Sequence, residues 1–488
     1  MPSWRIGSTC CARSTEPVAS GEDETTVPRR GDASIADLSE FSRRKEQRAW
    51  YFYDWANSAY VTTVATVLFA PYLTAVAETA ACGSGVTDDN PCRTNLDVLG
   101  LSVASGSLVF YVVTLATVFS AIVLPVVGAV ADRSSRKKHI MAGFAWAGSV
   151  CAALMFFVTG GHWQLGALLL VGANLCLGSS LVVYNAIMVE ISVPAERDRV
   201  SSRGWALGYL GGGLLLAVNL VIVTMHDTFG LGQGMAVRIC LLMAGMWWAT
   251  FTIIPFRGIR NRPATNVVAE PGGLVRQSFG QLVVTLRHMR NYPVTLLFLF
   301  AYLFYNDGIQ TVIVSASTYG EKQLGLATDV LIATILLVQF VAFFGALLFA
   351  RVASLIGSKK AIAIGLVLWM VVVTISYFLP ARNVVPFLAM AVLIGVVLGG
   401  TQALSRSFFS QLIPRGKEAE YFSLYEACER GTSWLGTLVF GLLHQLTDSY
   451  RPAILALLVF FSVGLLLLAR VDVRRGVAEA GNAVPAMM

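Results

Sequence analysis

The 488-residue chain is 56% hydrophobic and only 13% charged, with a mean hydropathy of +0.66, which excludes an ordinary soluble globular protein. Its net charge of +7 reflects 36 lysines and arginines against 29 acids. The sequence has no Gly-x-x-x-x-Gly-Lys-Ser/Thr, His-Glu-x-x-His or Gly-x-Ser-x-Gly, and His139, His162, His226, His288 and His444 are dispersed, so no catalysis, cofactor or metal is expected.

The first 49 residues contain no apolar core of signal-peptide length and mix Glu22, Asp23 and Glu24 with arginines. They are expected to be an uncleaved, disordered tail. Beyond them, runs long enough to cross a hydrocarbon core of about 30 Å recur at 50–78, 100–131, 139–160, 164–190, 204–226, 236–256, 293–317, 329–350, 361–379, 385–413, 422–446 and 452–471. They predict an all-α membrane protein with twelve transmembrane helices. "RRKEQR", Arg43 to Arg48, precedes the first run. The segments that alternate onto its side carry Arg133, Arg136, Lys137, Lys138, Arg197, Arg199, Arg203, Lys359, Lys360 and most other basic residues, against Arg93, Arg238, Lys322, Arg382 and Arg451 opposite. The positive-inside rule then puts both termini in the cytoplasm, and the lipid bilayer accounts for the positive charge without nucleic acid.

In the first run, "YDWANSAYVTTV" places Asp54, Asn57, Ser58 and Val61 on one helical face. That stripe reads either as a packing or gate contact near the inner surface or as a proton or substrate site. Cys82 and Cys92 bracket a predicted external loop, "CGSGVTDDNPC", which is compatible with a disulfide or with two free thiols. Asn174, Gly178, Leu181 and Asn185 share a stripe in the fourth run; their carboxamides can serve a polar solute or another helix. Gly204, Gly208 and Gly212 in the fifth form a close-packing face. The longest polar interruption, 257–291, includes Val275, Phe279, Leu282, Leu286 and Met289 at helical spacing, which predicts an amphipathic helix on the inner membrane surface.

In the seventh run, "YNDGIQT" belongs to a face formed by Tyr302, Asn306 and Gln310, with Asp307 on the neighbouring face and Gly308 permitting local unwinding of the kind found at midplane sites. The tenth presents Gln402, Ser405, Arg406 and Phe409, and the eleventh Glu426, Glu429, Arg430, Ser433 and Thr437. Glu426 and Arg430 have the favourable acid-first i,i+4 order, which leaves Glu429 to reach Arg406. Both pairs are expected to be inner-gate salt bridges. Counting Asp54, Asp307, Glu426 and Glu429 against Arg406 and Arg430 then leaves Asp54 and Asp307 without a cation. These two are the candidates for proton coupling, since unpaired carboxyls inside a membrane mark proton relays.

Two internal alignments indicate duplication. "GAVADRSSRKK" (Gly128 to Lys138) aligns with "ARVASLIGSKK" (Ala350 to Lys360), and Pro194 and Gly211 correspond to Pro414 and Gly431. The first of these segments resembles the loop motif of the major facilitator superfamily, Gly-x-x-x-Asp-Arg-x-Gly-Arg-Lys/Arg, matching at Gly128, Asp132, Arg133, Arg136 and Lys137, with Ser135 at the second glycine. In the second half Gly357 matches that glycine and Ser354 replaces the aspartate, so a gating carboxylate is expected only in the first repeat, with Asp132, Arg133 and Arg136 as gate residues. Together "YDWANSAY", "YNDGIQT" and "GGTQALSRS" resemble the autophagy-related vacuole effluxer branch, in a bacterial-type member.

The apolar runs and the long polar interruption divide the chain into a tail at 1–49, bundles at 50–256 and 292–471, a linker at 257–291 and a second tail at 472–488, and the resemblance implies that the bundles are two six-helix pseudo-repeats in the major facilitator fold. It further implies a monomeric secondary transporter of a small-molecule substrate, an amino acid or related metabolite, in a bacterial cell membrane. Asn57, Asn185, Tyr302, Asn306, Gln310 and Gln402 are the candidate substrate contacts. Rival readings are a lipid flippase, which would show apolar stripes instead, and a receptor-like protein, which would need a soluble signalling extension. For the orientation, cysteines introduced at Asp88 and Arg262 are expected to label from opposite sides of the membrane; labelling from the same side would overturn it.

Overall fold

The computed structural model describes residues 40–83, 92, 94–98, 100–264, 287, 289–431, 433–447 and 449–482. Most of the expected N-terminal tail and of the expected amphipathic linker helix lie outside the described residues. Helix α1 (Glu40–Cys82) begins ten residues before the apolar run. Its first turns are charged, yet Arg43 pairs with Glu196 at 3.0 Å and Arg262 with Glu46 at 3.0 Å, so the helix continues past the bilayer edge instead of ending in a disordered tail. Midway, Val61–Leu68 widens into π-helical geometry.

A disulfide joins Cys82 to Cys92, and an antiparallel hairpin follows, β1 (Asn95–Val98) with β2 (Leu101–Ala104). The second helix therefore starts at Ser105 rather than 100, because the apolar residues Leu101 and Val103 belong to a strand. In order come α2 (Ser105–Arg133), α3 (Lys137–Phe157), α4 (Trp163–Ile191), α5 (Pro194–Thr224) and α6 (Gln233–Gly258). The second half contains α7 (Pro293–Gln323), α8 (Thr328–Ile356), α9 (Ser358–Phe378) and α10 (Val384–Gln411). On the eleventh predicted run the described residues give two helical stretches, α11 (Glu418–Gly431) and α12 (Ser433–Thr447), on either side of residue 432, which lies outside the described residues. Eleven described helices are long and apolar enough to cross a membrane. The eleventh predicted run is not among them, because that count covers the described residues alone and residue 432 divides α11 from α12. The last span is α13 (Tyr450–Arg470), followed by a short helix, α14 (Val473–Glu479), where a tail was expected.

Within the first half α1 packs on α5 and α6, and α3 on α4 and α6; within the second, α7 packs on α12 and α13, and α8 and α9 on α10. The seam between the halves repeats the duplication. There α2 and α4 meet α11, and the corresponding α8 and α10 meet α5. We call the end where α1 begins the basic face and the opposite end the hairpin face.

Backbones approach closely where glycine permits. A Cβ on Gly399 of α10 would collide with the Ala342 carbonyl oxygen and lie 2.8 Å from the Ala346 nitrogen, both on α8. Gly399→Val is expected to cost about 1–3 kcal/mol by overpacking and to lower the melting temperature in detergent. Gly143→Ala, where nothing lies within 4 Å, should not. Equal melting temperatures would show that α8 and α10 are further apart than described.

Candidate functional site

Arg406 of α10 sits in the seam, 3% exposed. Its Nη2 lies 3.1 Å from Asp54 Oδ2 and Nη1 lies 3.4 Å from Oδ1, a two-pronged pair across the halves. Nε donates to Ser201 Oγ and Nη2 to the Ser201 carbonyl, each at 2.9 Å. The rings of Trp50, Trp205 and Tyr184 surround the guanidinium at 5.0, 5.3 and 5.6 Å, within the range of cation–π attraction. Thus Arg406 pairs with Asp54 and not with Glu429, which corrects the sequence expectation. The reason is the glycine stripe of α5. A Cβ on Gly204 would lie 2.5 Å from Asp54 Oδ2 and 3.1 Å from Arg406 Nη2, and one on Gly208 would lie 2.7 Å from Ser58 Oγ. The stripe makes room for the polar face of α1, so the carboxylate reaches the seam first.

Between this layer and the hairpin face lies a cavity of about 300 Å³. Asp54, Asn57, Asn174, Asn185, Gln310, Glu426, Glu429 and Arg430 give it a polar ring, and Val61 and Ala65 of the π-helical turn border it. Arg430 Nε is 3.3 Å from Glu426 Oε2, as the i,i+4 spacing predicts, and Asn185 Nδ2 donates to Glu426 Oε1 at 2.8 Å. Glu429 accepts from Tyr302 OH at 3.2 Å and makes no ion pair among the described residues. Asn57 donates back to the Tyr53 carbonyl at 2.7 Å, which occupies part of its amide.

Tyr302, Asn306 and Gln402 do not border the cavity. They form a chain behind it, in which Gln402 Nε2 donates to Asn306 Oδ1 at 3.0 Å and Asn306 Nδ2 to the Glu429 carbonyl at 3.2 Å, with Tyr302 stacked on Tyr425 at 4.2 Å. Asp307 is also set apart. It is wholly buried, and its Oδ2 accepts from the Gly436 amide of α12 at 2.8 Å. Among the described residues Oδ1 has no hydrogen-bond partner. The structure therefore revises the pairing: Asp54 is in an ion pair, and among the described residues Glu429 and Asp307 make none, although Arg430 and Arg406 stand near Glu429.

The basic face is sealed. Asp132 at the end of α2 accepts from the Ala419 and Glu420 amides at 3.0 and 2.9 Å, charge placed at the N-terminus of α11 where the helix dipole favours it. Lys137 joins Asp132 at 3.3 Å and Glu190 at 2.7 Å. Arg136 is exposed and its amide is held by Ser134 Oγ at 3.0 Å; Arg133 is half-buried at the turn. Ser135 keeps an ordinary negative φ, whereas Gly357 in the second repeat has φ 90°, so the first turn does not need the missing glycine. At the corresponding contact of the second repeat the carboxylate is again supplied by the first half, as the Ser354 replacement led one to expect. Asp198 of α5 accepts from Ser358 Oγ at 2.5 Å and Ser407 Oγ at 2.6 Å.

The sequence reading missed Trp50, Tyr184, Trp205 and Ser201. Trp50 was detectable, because it precedes Asp54 by one turn on the same stripe; no local signal marked the others as neighbours of Arg406.

A two-fold repeated helical bundle, sealed at one face around a central polar cavity, is the major facilitator fold. Solved structures with this fold include the fucose transporter FucP in its outward conformation, with a TM-score of 0.62 at 12% identity over 88% of this chain and 99% of that one. The proton:xylose symporter XylE gives 0.64 at 12% identity over 88% and 96%. The chain belongs to the vacuole effluxer Atg22 like family, whose model matches residues 42–481. It is 28% identical to YxiO, an uncharacterized MFS-type transporter of Bacillus subtilis (strain 168), over 90% of this chain and 98% of that one. Autophagy-related protein 22-1 of Emericella nidulans is 24% identical over 90% and 92%.

Removing one member of a buried ion pair leaves an uncompensated charge and costs about 3–5 kcal/mol. Asp54→Asn and Arg406→Gln are each expected to destabilise the protein strongly, and the double variant to recover more than half of the larger loss. Additive losses in a thermal double-mutant cycle would show that the two groups do not depend on each other.

Proposed function

We propose that this protein moves a small polar solute, an amino acid or related metabolite, by proton-coupled alternating access, acting as an exporter. It works as a monomer in a bacterial cell membrane with both termini, the 257–291 linker and the basic face cytoplasmic. The observation that carries the reading is the cavity's polar ring, in which Glu429 is the carboxylate that makes no ion pair among the described residues. Such a group can hold a proton in one state and the ammonium of a cargo in another. Asn57, Asn185 and Gln310 border the same space and supply hydrogen bonds to cargo; Tyr302, Asn306 and Gln402 position Glu429 from behind.

In this reading the Asp54–Arg406 pair and the contacts of Asp132 are the inner gate, and Glu426 with Arg430 lines the path. Asp307 is the second proton candidate, reached from the cavity only through a rearrangement of α7 and α12. The proton-symporter XylE has the same fold, and the vacuole effluxer family name motivates the export direction. A polar ring of this kind disfavours a lipid cargo.

In reconstituted vesicles screened with amino acids, Glu429→Gln is expected to abolish transport driven by a pH gradient by at least tenfold while leaving cargo exchange partly intact. The same phenotype in Asp307→Asn alone would move the proton to Asp307. Transport by the unmodified protein that ignores pH and protonophores would defeat proton coupling.

A further inference from the structure

On the basic face, away from the central cavity, a second pocket of about 120 Å³ lies between α1 and α5. Four arginines line it, Arg44 and Arg48 from α1 and Arg199 and Arg203 from α5, with Gln47 and Tyr51 as its floor. Each pair has i,i+4 spacing, at which like charges repel. The helices are nevertheless held together here, because Arg43 and Gln47 both bond Glu196, at 3.0 Å each. The nearby acids are committed. Glu40 pairs with Arg44 at 2.5 Å, and Glu196 is shared by Arg43 and Arg199 at 3.0 and 3.4 Å. Arg48 and Arg203 make no ion pair among the described residues and are exposed.

We propose that this pocket binds a phosphate-bearing anion, and that the anion clamps α1 to α5. Guanidinium groups converging from two helices match tetrahedral phosphate oxygens, which they bind through paired N–H donors. The pocket stands where the apolar run of α1 begins, at residues 44–51, the level at which a lipid phosphodiester would meet it; a free phosphate would reach it from the aqueous phase. Gln47 is 2% exposed, and its amide is fixed by Ile191 and Glu196 at 3.0 Å each, so the pocket floor is rigid before any anion arrives.

The test uses the full-length protein in nanodiscs of phosphatidylcholine alone, phosphatidylcholine with phosphatidylglycerol, or phosphatidylcholine with millimolar inorganic phosphate. It reads melting temperature and, by native mass spectrometry, retained lipid. Phosphatidylglycerol is expected to raise the melting temperature and to remain bound. Arg48→Gln with Arg203→Gln should lose more than half of that rise and retain several-fold less lipid. The control pair Arg351→Gln with Lys360→Gln removes the same charge from exposed positions on the same face and should keep both. Protection by inorganic phosphate equal to that by lipid supports the site with a free anion as its ligand. A rise that the Arg48/Arg203 variant keeps in full, or loses no more than the control pair does, overturns the proposal, as does the absence of any rise with either anion.

Discussion

The buried guanidinium of Arg406 sets the terms for the rest of the bundle. A fixed positive charge inside a membrane protein must be matched nearby, and its partner here, Asp54, belongs to the other half of the molecule. Everything around the pair reduces the cost of holding it. Ser201 presents both hydroxyl and carbonyl oxygen, three aromatic faces replace water, and the absence of a side chain at Gly204 lets α1 come close enough. Pulling the halves apart at the basic face would leave two unmatched charges, which costs several kcal/mol unless another acid takes over. Glu426 is within one link, since Asn185 touches both Arg406, at 3.5 Å, and Glu426, at 2.8 Å. The polar ring of the cavity is therefore continuous with the ion pair beneath it, and any change in the charge of Glu426 is felt by Arg406 through that one amide.

Much of this architecture was legible in the sequence because hydrophobic length and basic-residue asymmetry are imposed by the bilayer itself. The spans α3, α4, α6 to α10 and α13 fall close to their predicted ranges for that reason, whereas α5 begins at Pro194 and not at 204, because its first turns carry Glu196, Arg197, Asp198 and Arg199. The failures occur where another force competes with hydropathy. Leu101 and Val103 are apolar but pair across a hairpin, so the second span was begun too early. Glu40 to Ala49 looked like a loop because charge was counted without its partners, which lie at Glu196 and Arg262.

At the site, helical periodicity identified which side chains share a face but not which faces meet. It correctly paired Glu426 with Arg430, a contact within one helix, and mispaired Arg406, whose neighbour is set by packing between helices. The glycines of α5 contained the missing information. They were read as a packing surface, and the residues they accommodate, Asp54, Ser58 and Thr62, are the polar stripe of α1. A small-residue stripe opposite a polar stripe is a stronger signal than either alone, because polar side chains in a tight helical interface need space that only glycine leaves.

The duplication also explains why the two gates differ. In the first repeat a carboxylate on α2 meets backbone amides of α11, and Lys137 and the helix dipole reinforce it. At the corresponding contact the acid has moved to α5, and Asp198 is met by two hydroxyls, Ser358 and Ser407. Backbone amides are fixed in direction by their helix, so the first contact survives only one relative placement of α2 and α11. Hydroxyls rotate, and the second contact tolerates small shifts of α5 against α9 and α10. A small shift of α5 against α9 and α10 therefore leaves the hydroxyl contacts of Asp198 intact, whereas the same shift of α2 against α11 breaks the amide contacts of Asp132, so the two sides of the seam differ in how tightly they fix the relative placement of the halves.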